Sequence, residues 1–187
     1  NFEFLKDFSC KRTIYGINTG FGPMARYKIE DEDIKQLQYN LIRSHCAGSG
    51  EILPEIYARG VVAARLNTLM LASSGIHPEV VELLNSFLNN NISPVIPEHG
   101  GVGASGDLVQ LAHLALNVIG EGEVYFNGEI VPVETAFKKC GLKPAGIHLR
   151  EGLALINGTS VMTAVGIINL LMSQRALDWA VAASALL

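Results

Sequence analysis

The stretch GGVGASGDL, residues 100–108, places four glycines around a single serine, Ser105. It could serve as a structural turn, a phosphate cradle, a serine nucleophile or a site of backbone chemistry. Glycine amides before a helix bind anions well. However, the stretch lacks the lysine and Ser/Thr of a P-loop, and no strand is predicted before it, as a dinucleotide-binding fingerprint requires. GASGD also differs from G-x-S-x-G, the pattern of a nucleophile elbow. The turn and the backbone reaction remain open.

The tripeptide Ala104-Ser105-Gly106 has the residue types that a backbone cyclisation requires. Where the chain bends sharply, the amide nitrogen of Gly106 can attack the carbonyl carbon of Ala104 and close a five-membered ring. Loss of one water from the ring and one from the Ser105 side chain leaves an alkene conjugated with an imidazolone. Glycine has the widest choice of backbone angles, and the preceding glycines allow the strained bend. Such tripeptides are common, so the pattern alone leaves a structural turn open.

Three further blocks occur with this stretch: YGINTGFGP at 15–23, LQYNLIRSHCAGSG at 37–50 and EGLALINGTS at 151–160. Together they resemble the aromatic amino acid ammonia-lyases and aminomutases, the family of histidine, phenylalanine and tyrosine ammonia-lyase. Members of this family build 4-methylideneimidazol-5-one (MIO) from Ala-Ser-Gly. The resemblance runs in order over nearly the whole chain.

The resemblance implies a role for each candidate site residue. The tripeptide would form the MIO electrophile, and Tyr15 would be the catalytic base that takes the β-proton. His45 would contact the substrate's side chain, and Asn157 would hydrogen-bond near the MIO or the substrate's polar end. No external cofactor and no metal is expected. From the residues alone, Tyr15 could be an ordinary half-buried tyrosine, His45 a core histidine and Asn157 half of a turn pair.

The implied reaction eliminates ammonia, and it is difficult because the β-proton is weakly acidic and ammonia leaves poorly. The electrophile improves the leaving group, and a base at the β-carbon completes the elimination. A phenol can act as that base where negative charge is stabilised. The start of the helix after the tripeptide, which we expect Asp107 to cap, supplies positive potential for this purpose.

The substrate is predicted from the pair Ser44-His45, which matches the pair usual in histidine ammonia-lyases. Phenylalanine-specific members of the resembled family tend to place apolar residues at this level. We therefore expect L-histidine to be converted to urocanate. L-Tyrosine as the substrate, giving p-coumarate, an MIO-dependent aminomutase and a non-catalytic helical homologue remain open.

Helical periodicity predicts most of the elements that position these residues. Ile34, Leu37, Leu41 and Ile42 have helical spacing, and further helices are expected in residues 54–75, 78–91, 108–119 and from 160 towards the end. Asn127-Gly128 is the one clear hairpin signal. The predicted fold class is mainly α with one small β-hairpin. The resemblance implies the helical ammonia-lyase (fumarase/aspartase-like) superfamily fold, of which this is the MIO-bearing N-terminal part.

Composition restricts the function classes. The 187 residues are 49% apolar and 17% charged, with a formal net charge of −4 and no basic run, which argues against a nucleic-acid or membrane-surface role. The charges in SQRALD argue against a membrane span near the end. The odd number of cysteines, without metal-ligand spacing, favours a reduced cytoplasmic protein. We expect residues 1–187 to be one domain of a longer chain, cut within its central bundle, and the resemblance implies a homotetramer.

Overall fold

The computed structural model describes residues 1–9, 12–102 and 106–186. Within these ranges the fold is mainly helical, as predicted. The helices are α1 (Phe2–Ser9), α2 (Ile34–His45), α3 (Glu55–Met70), α4 (Pro78–Asn89), α5 (Leu108–Val118), α6 (Val133–Cys140), α7 (Glu151–Ile156) and α8 (Ser160–Ala185), with a 3-10 helix at Gly22–Arg26.

The helix starts follow the sequence signals. Pro54 and Pro78 stand at the starts of α3 and α4, where the missing N–H of proline costs no hydrogen bond. α5 lies in the centre of the core and packs against α2, α4, α7 and α8. Its apolar side chains on several faces are buried, which agrees with its almost uniformly apolar sequence.

The strands are more numerous than the sequence predicted. β1 (Ser49–Ile52) pairs with β3 (Pro97–His99), and β2 (Ile92–Pro94), β4 (Glu123–Phe126) and β5 (Glu129–Pro132) form a sheet in the order β2-β4-β5; all pairings are antiparallel. The β4–β5 hairpin is confirmed, with both turn residues at positive φ.

The sequence predicted no strand in ISPVIPEHGG, which contains β2 and β3 in the structure. Both are three-residue edge strands containing proline, which weakens the local strand signal. β3 also ends directly before the glycine stretch, where no strand was predicted. Among the described residues β3 pairs only with β1, in an antiparallel ribbon, and the parallel pairing of a dinucleotide fingerprint is not seen there.

The long helix α8 packs along α3. Gly60 of α3 allows this approach, since a Cβ there would lie 3.3 Å from the Cβ of Ala164. Tyr57 donates from its hydroxyl to Asn169 Oδ1 at 2.8 Å. By length and composition, the stretch Glu151–Ala185 would pass for a membrane span, a test that long core helices also pass. The absence of a membrane span stays a prediction.

A buried carboxylate fixes the start of α7. Glu151 has no exposed surface, and its Oε1 and Oε2 accept from the backbone N–H groups of His77 and His148 at 2.5 and 2.6 Å. The carboxylate therefore joins the start of α4 to the start of α7. Burial raises the pKa of Glu151, and the two N–H donors oppose this.

We predict that the Glu151→Gln variant loses one source of pH-dependent stability. A folded pKa above the unfolded value makes this residue's contribution largest below the unfolded pKa and smaller as pH rises through the folded pKa. Urea unfolding of both proteins between about pH 4 and pH 7 measures this effect. The wild-type free energy of unfolding minus that of the variant should fall with rising pH. A constant or growing difference would contradict the assignment.

Candidate active site

A cavity of about 430 Å³ brings two predicted site residues together. It lies between the loop that carries Tyr15 and the helix α7. Its lining residues are Tyr15, Ser73, Ser74, Arg150, Leu153, Ala154 and Asn157. Tyr15 and Asn157, which are far apart in the sequence, therefore face one space. Arg150 is the charged residue among them, so this wall attracts a carboxylate.

Buried polar side chains hold the loop that presents Tyr15. Asn18 accepts from the Ile14 N–H at 2.7 Å and donates to the Arg12 carbonyl at 2.8 Å. Thr19 Oγ1 accepts from the Gly16 N–H at 3.3 Å. These side-chain bonds take the place of the backbone hydrogen bonds of a helix or strand, and they fix the backbone around Tyr15.

The Tyr15 side chain itself remains accessible. Its relative exposure is 49%, and its hydroxyl oxygen accepts from the Gly22 N–H at 3.2 Å. Its ring meets Phe21 edge to face, with 6.0 Å between the centroids. A substrate in the cavity can therefore reach the phenol.

The backbone at Gly106 lies against the turn that carries Asn157. Gly106 has a φ of +99°, and a Cβ at this position would overlap the carbonyl group of Gly158. The Asp107 N–H donates to that carbonyl oxygen at 2.8 Å. Ala104 and Ser105 lie outside the described residues, so the cyclisation stays a prediction.

Asp107 caps a different helix from the predicted one. It stands before α5 but makes no side-chain capping bond there. Its Oδ2 accepts from the N–H groups of Val161 and Met162 at 2.8 and 2.9 Å, in the first turn of α8. The predicted cap was wrong because the buried start of α8 offers unpaired N–H groups within reach. The carboxylate also opposes the positive end of α8.

Arg65 is a buried cation that the sequence analysis missed. It is 2% exposed, and its Nη2 donates to the carbonyls of Ala154 and Asn157, at 2.9 Å for the latter. Burial lowers its pKa to about 10, and the charge of Asp107 opposes this shift. The guanidinium is therefore charged at neutral pH. Arg65 occurs one turn after Val61 on the apolar face of α3. A charged residue at such a position predicts a buried charge with a hydrogen-bonding partner.

His45 is the last residue of α2, and it is half-buried. Its Nδ1 lies 2.8 Å from the carbonyl oxygen of Leu41. A carbonyl can only accept, so Nδ1 carries the proton and a neutral ring has an acceptor at Nε2. His45 is not among the lining residues of the Tyr15 cavity. Its contact with a substrate stays a prediction.

Residues 1–187 match the family model described as aromatic amino acid lyase. The chain belongs to the aromatic amino acid lyase family.

Two aminomutases and one lyase illustrate the family likeness. The histidine ammonia-lyase of Bacillus subtilis (strain 168) is 48% identical over 165 residues, which are 88% of this chain and 32% of that protein. The tyrosine aminomutase structure from Streptomyces globisporus has a TM-score of 0.79 at 42% identity, covering 88% of this chain and 31% of its own. The structure of the Pantoea agglomerans phenylalanine aminomutase has a TM-score of 0.87 at 32% identity. The match covers 95% of this chain and 34% of the aminomutase chain. The chain thus spans about a third of the length of these family members.

We predict that Arg65→Met lowers the free energy of unfolding by about 3 kcal/mol or more, because it leaves two buried carbonyls without their donor and removes the positive charge that Asp107 favours. Chemical denaturation of the two proteins measures this loss. Arg59→Met is the matched control on the same helix, since half-buried Arg59 donates to the Leu88 carbonyl where water can replace it. Equal losses in the two variants would contradict the role given to Arg65.

Proposed function

We propose that this chain is part of an ammonia-lyase that converts L-histidine to urocanate with an MIO group formed from Ala104-Ser105-Gly106. The observation that carries the proposal is the shared cavity of Tyr15 and Asn157, beside the contact between Gly106 and Gly158. The family membership supports the same chemistry.

Gly106, the described residue of the tripeptide, fits a group made from the backbone. Gly106 has a φ that favours glycine and no room for a Cβ, so its backbone lies closely against the neighbouring turn. When formed, the MIO supplies an electrophile for an amino group. Asn157 lies on the adjoining turn and would hydrogen-bond near it.

The chain's own residues would bind the substrate and move the proton. Tyr15 would take the β-proton, since its hydroxyl is accessible in the cavity. The Gly22 N–H that donates to this oxygen suits an oxygen that carries negative charge. Arg150 on the cavity wall would attract the substrate carboxylate, and His45 would contact the substrate's side chain.

Histidine is the substrate that the comparisons favour. Several curated relatives whose sequences are about 50% identical to this chain are named histidine ammonia-lyase. Tyrosine and phenylalanine aminomutases are among the similar solved structures, so an aminomutase is the second candidate. The products distinguish them, since a lyase releases ammonia and an arylacrylate, whereas an aminomutase gives a β-amino acid.

The homotetramer and the cytoplasmic location belong to the same proposal. Large apolar side chains remain exposed along α8, at Ile167, Leu170, Leu171, Met172, Leu177 and Trp179. Exposed apolar surface of this kind marks contact with further protein. The remainder of the chain and neighbouring subunits would cover it.

We predict that Tyr15→Phe in the full-length protein lowers turnover by about 10²- to 10⁴-fold, because the variant lacks the proposed base. Histidine, tyrosine and phenylalanine are supplied separately, and the ultraviolet absorbance of the arylacrylate product is followed. Tyr27→Phe is the control, an exposed tyrosine of the same segment. Intact mass should show the loss of two waters in all three proteins. Unchanged turnover by Tyr15→Phe would exclude the phenol as the base, and an unmodified wild-type mass would exclude the MIO.

We predict that His45→Leu moves the preference from histidine towards phenylalanine. Loss of one hydrogen-bonding partner should change the ratio of the two kcat/KM values by about 10- to 100-fold. Steady-state kinetics on both amino acids measure the ratio, and His148→Leu serves as the control at an exposed histidine. An unchanged ratio would mean that His45 does not contact the substrate's side chain.

A further inference from the structure

A second buried polar side chain, Gln38, joins the two sides of the cavity. It lies on α2 and has no exposed surface. Its Nε2 donates to the carbonyl of Gly16 at 3.0 Å, and its Oε1 accepts from the Leu153 N–H at 3.4 Å. A buried amide left unpaired costs about 1–3 kcal/mol. Here both ends have a partner, one in the loop that carries Tyr15 and one on α7.

The two partners of Gln38 adjoin the proposed site residues. Gly16 directly follows Tyr15. Leu153 lines the cavity, and its carbonyl accepts from the Asn157 N–H at 2.9 Å, one helical turn later. The Gln38 amide is therefore connected to Tyr15 through one residue and to Asn157 through one hydrogen-bonded turn.

The packing around this amide leaves little room for adjustment. A Cβ at Gly16, which has a φ of +77°, would come within 2.7 Å of Leu153 Cδ2. A Cβ at Gly152 would lie 2.8 Å from the Gln38 carbonyl oxygen. The loop, α2 and α7 thus meet at glycine contacts, and a change in the Gln38 amide is transmitted to both walls.

Among the described residues, Tyr15 makes few contacts that could replace this support. Its hydroxyl bond to Gly22 is exposed, and its ring meets Phe21 only by an edge. The position of the phenol therefore depends on the backbone at Gly16, which Gln38 holds at the carbonyl and Thr19 holds at the N–H.

We propose that Gln38 is a positioning residue of the elimination, whose amide sets the placement of the Tyr15 phenol relative to Asn157. This proposal rests on the proposed function. Gln38 is buried and acts through Gly16 and Leu153 without touching the substrate. A side chain with one donor and one acceptor is required, because one partner is a carbonyl and the other an N–H.

The first test is Gln38→Met in the full-length enzyme, which keeps the length and bulk of the side chain and removes both hydrogen bonds. We expect kcat to fall by about 10- to 100-fold, because a small misplacement of a catalytic group is costly. We expect KM for histidine to change by less than about threefold. Intact mass should still show the loss of two waters. Gln36→Met, at an exposed glutamine of the same helix, should match the wild type.

The second test is Gln38→Glu. The new carboxyl can replace both hydrogen bonds of the amide only when the carboxyl is protonated. A protonated carboxyl donates to Gly16 and accepts from Leu153, whereas a carboxylate only accepts. The ratio of variant to wild-type kcat should therefore be highest at low pH and fall as pH rises. Glu151, next to Gly152, and Tyr15 face the same region and are present in both proteins, so the ratio isolates the change at residue 38.

The outcomes separate this role from the proposed function. If the wild type is active and Gln38→Met has the same kcat, the role of Gln38 is overturned and the proposed function is left intact. A ratio for Gln38→Glu that does not vary with pH, or loss of the two-water mass change in Gln38→Met, also overturns the role. A wild-type enzyme inactive on histidine, tyrosine and phenylalanine overturns the proposed function and this role with it.

Discussion

The turn between α7 and α8 is held by two buried side chains of opposite charge, and the rest of the site depends on it. Arg65 donates to the carbonyls of Ala154 and Asn157 near the end of α7, and Asp107 accepts from N–H groups in the first turn of α8. Helix ends leave such groups without partners in the helix. The two charges pair them in the interior, and Gly106 lies directly against the same turn.

The signs of the two charges match the helices that they meet. The negative Asp107 faces the positive start of α8, and the positive Arg65 faces the negative end of α7. Burial disfavours the charge of Arg65, while Asp107 favours it. Asp107 thus supports the charge of Arg65 at a point where water is largely excluded. The turn that presents Asn157 is consequently fixed by electrostatics as well as by packing.

The glycines of the sequence motifs act here through close approach. A Cβ at Gly16 would crowd Leu153, and one at Gly158 would overlap the Arg65 guanidinium. At Gly106 it would overlap the neighbouring backbone. These contacts bring the Tyr15 loop, α7 and the glycine stretch closer than side chains would allow. The short distances let one amide, that of Gln38, join both walls of the cavity.

The sequence by itself determined the elements with strong local signals: the helices with regular apolar spacing, the Asn127-Gly128 hairpin and the motifs around Tyr15 and Asn157. Such signals extend over a few residues, so they can be recognised in the sequence without knowledge of the fold. The pairing of β2 and β3 with distant strands, the helix that Asp107 caps and the partners of Gln38 and Arg65 were decided only by tertiary structure. Each of these depends on groups brought together from far along the chain, and a buried polar group bonds with whatever partner the packing places within reach.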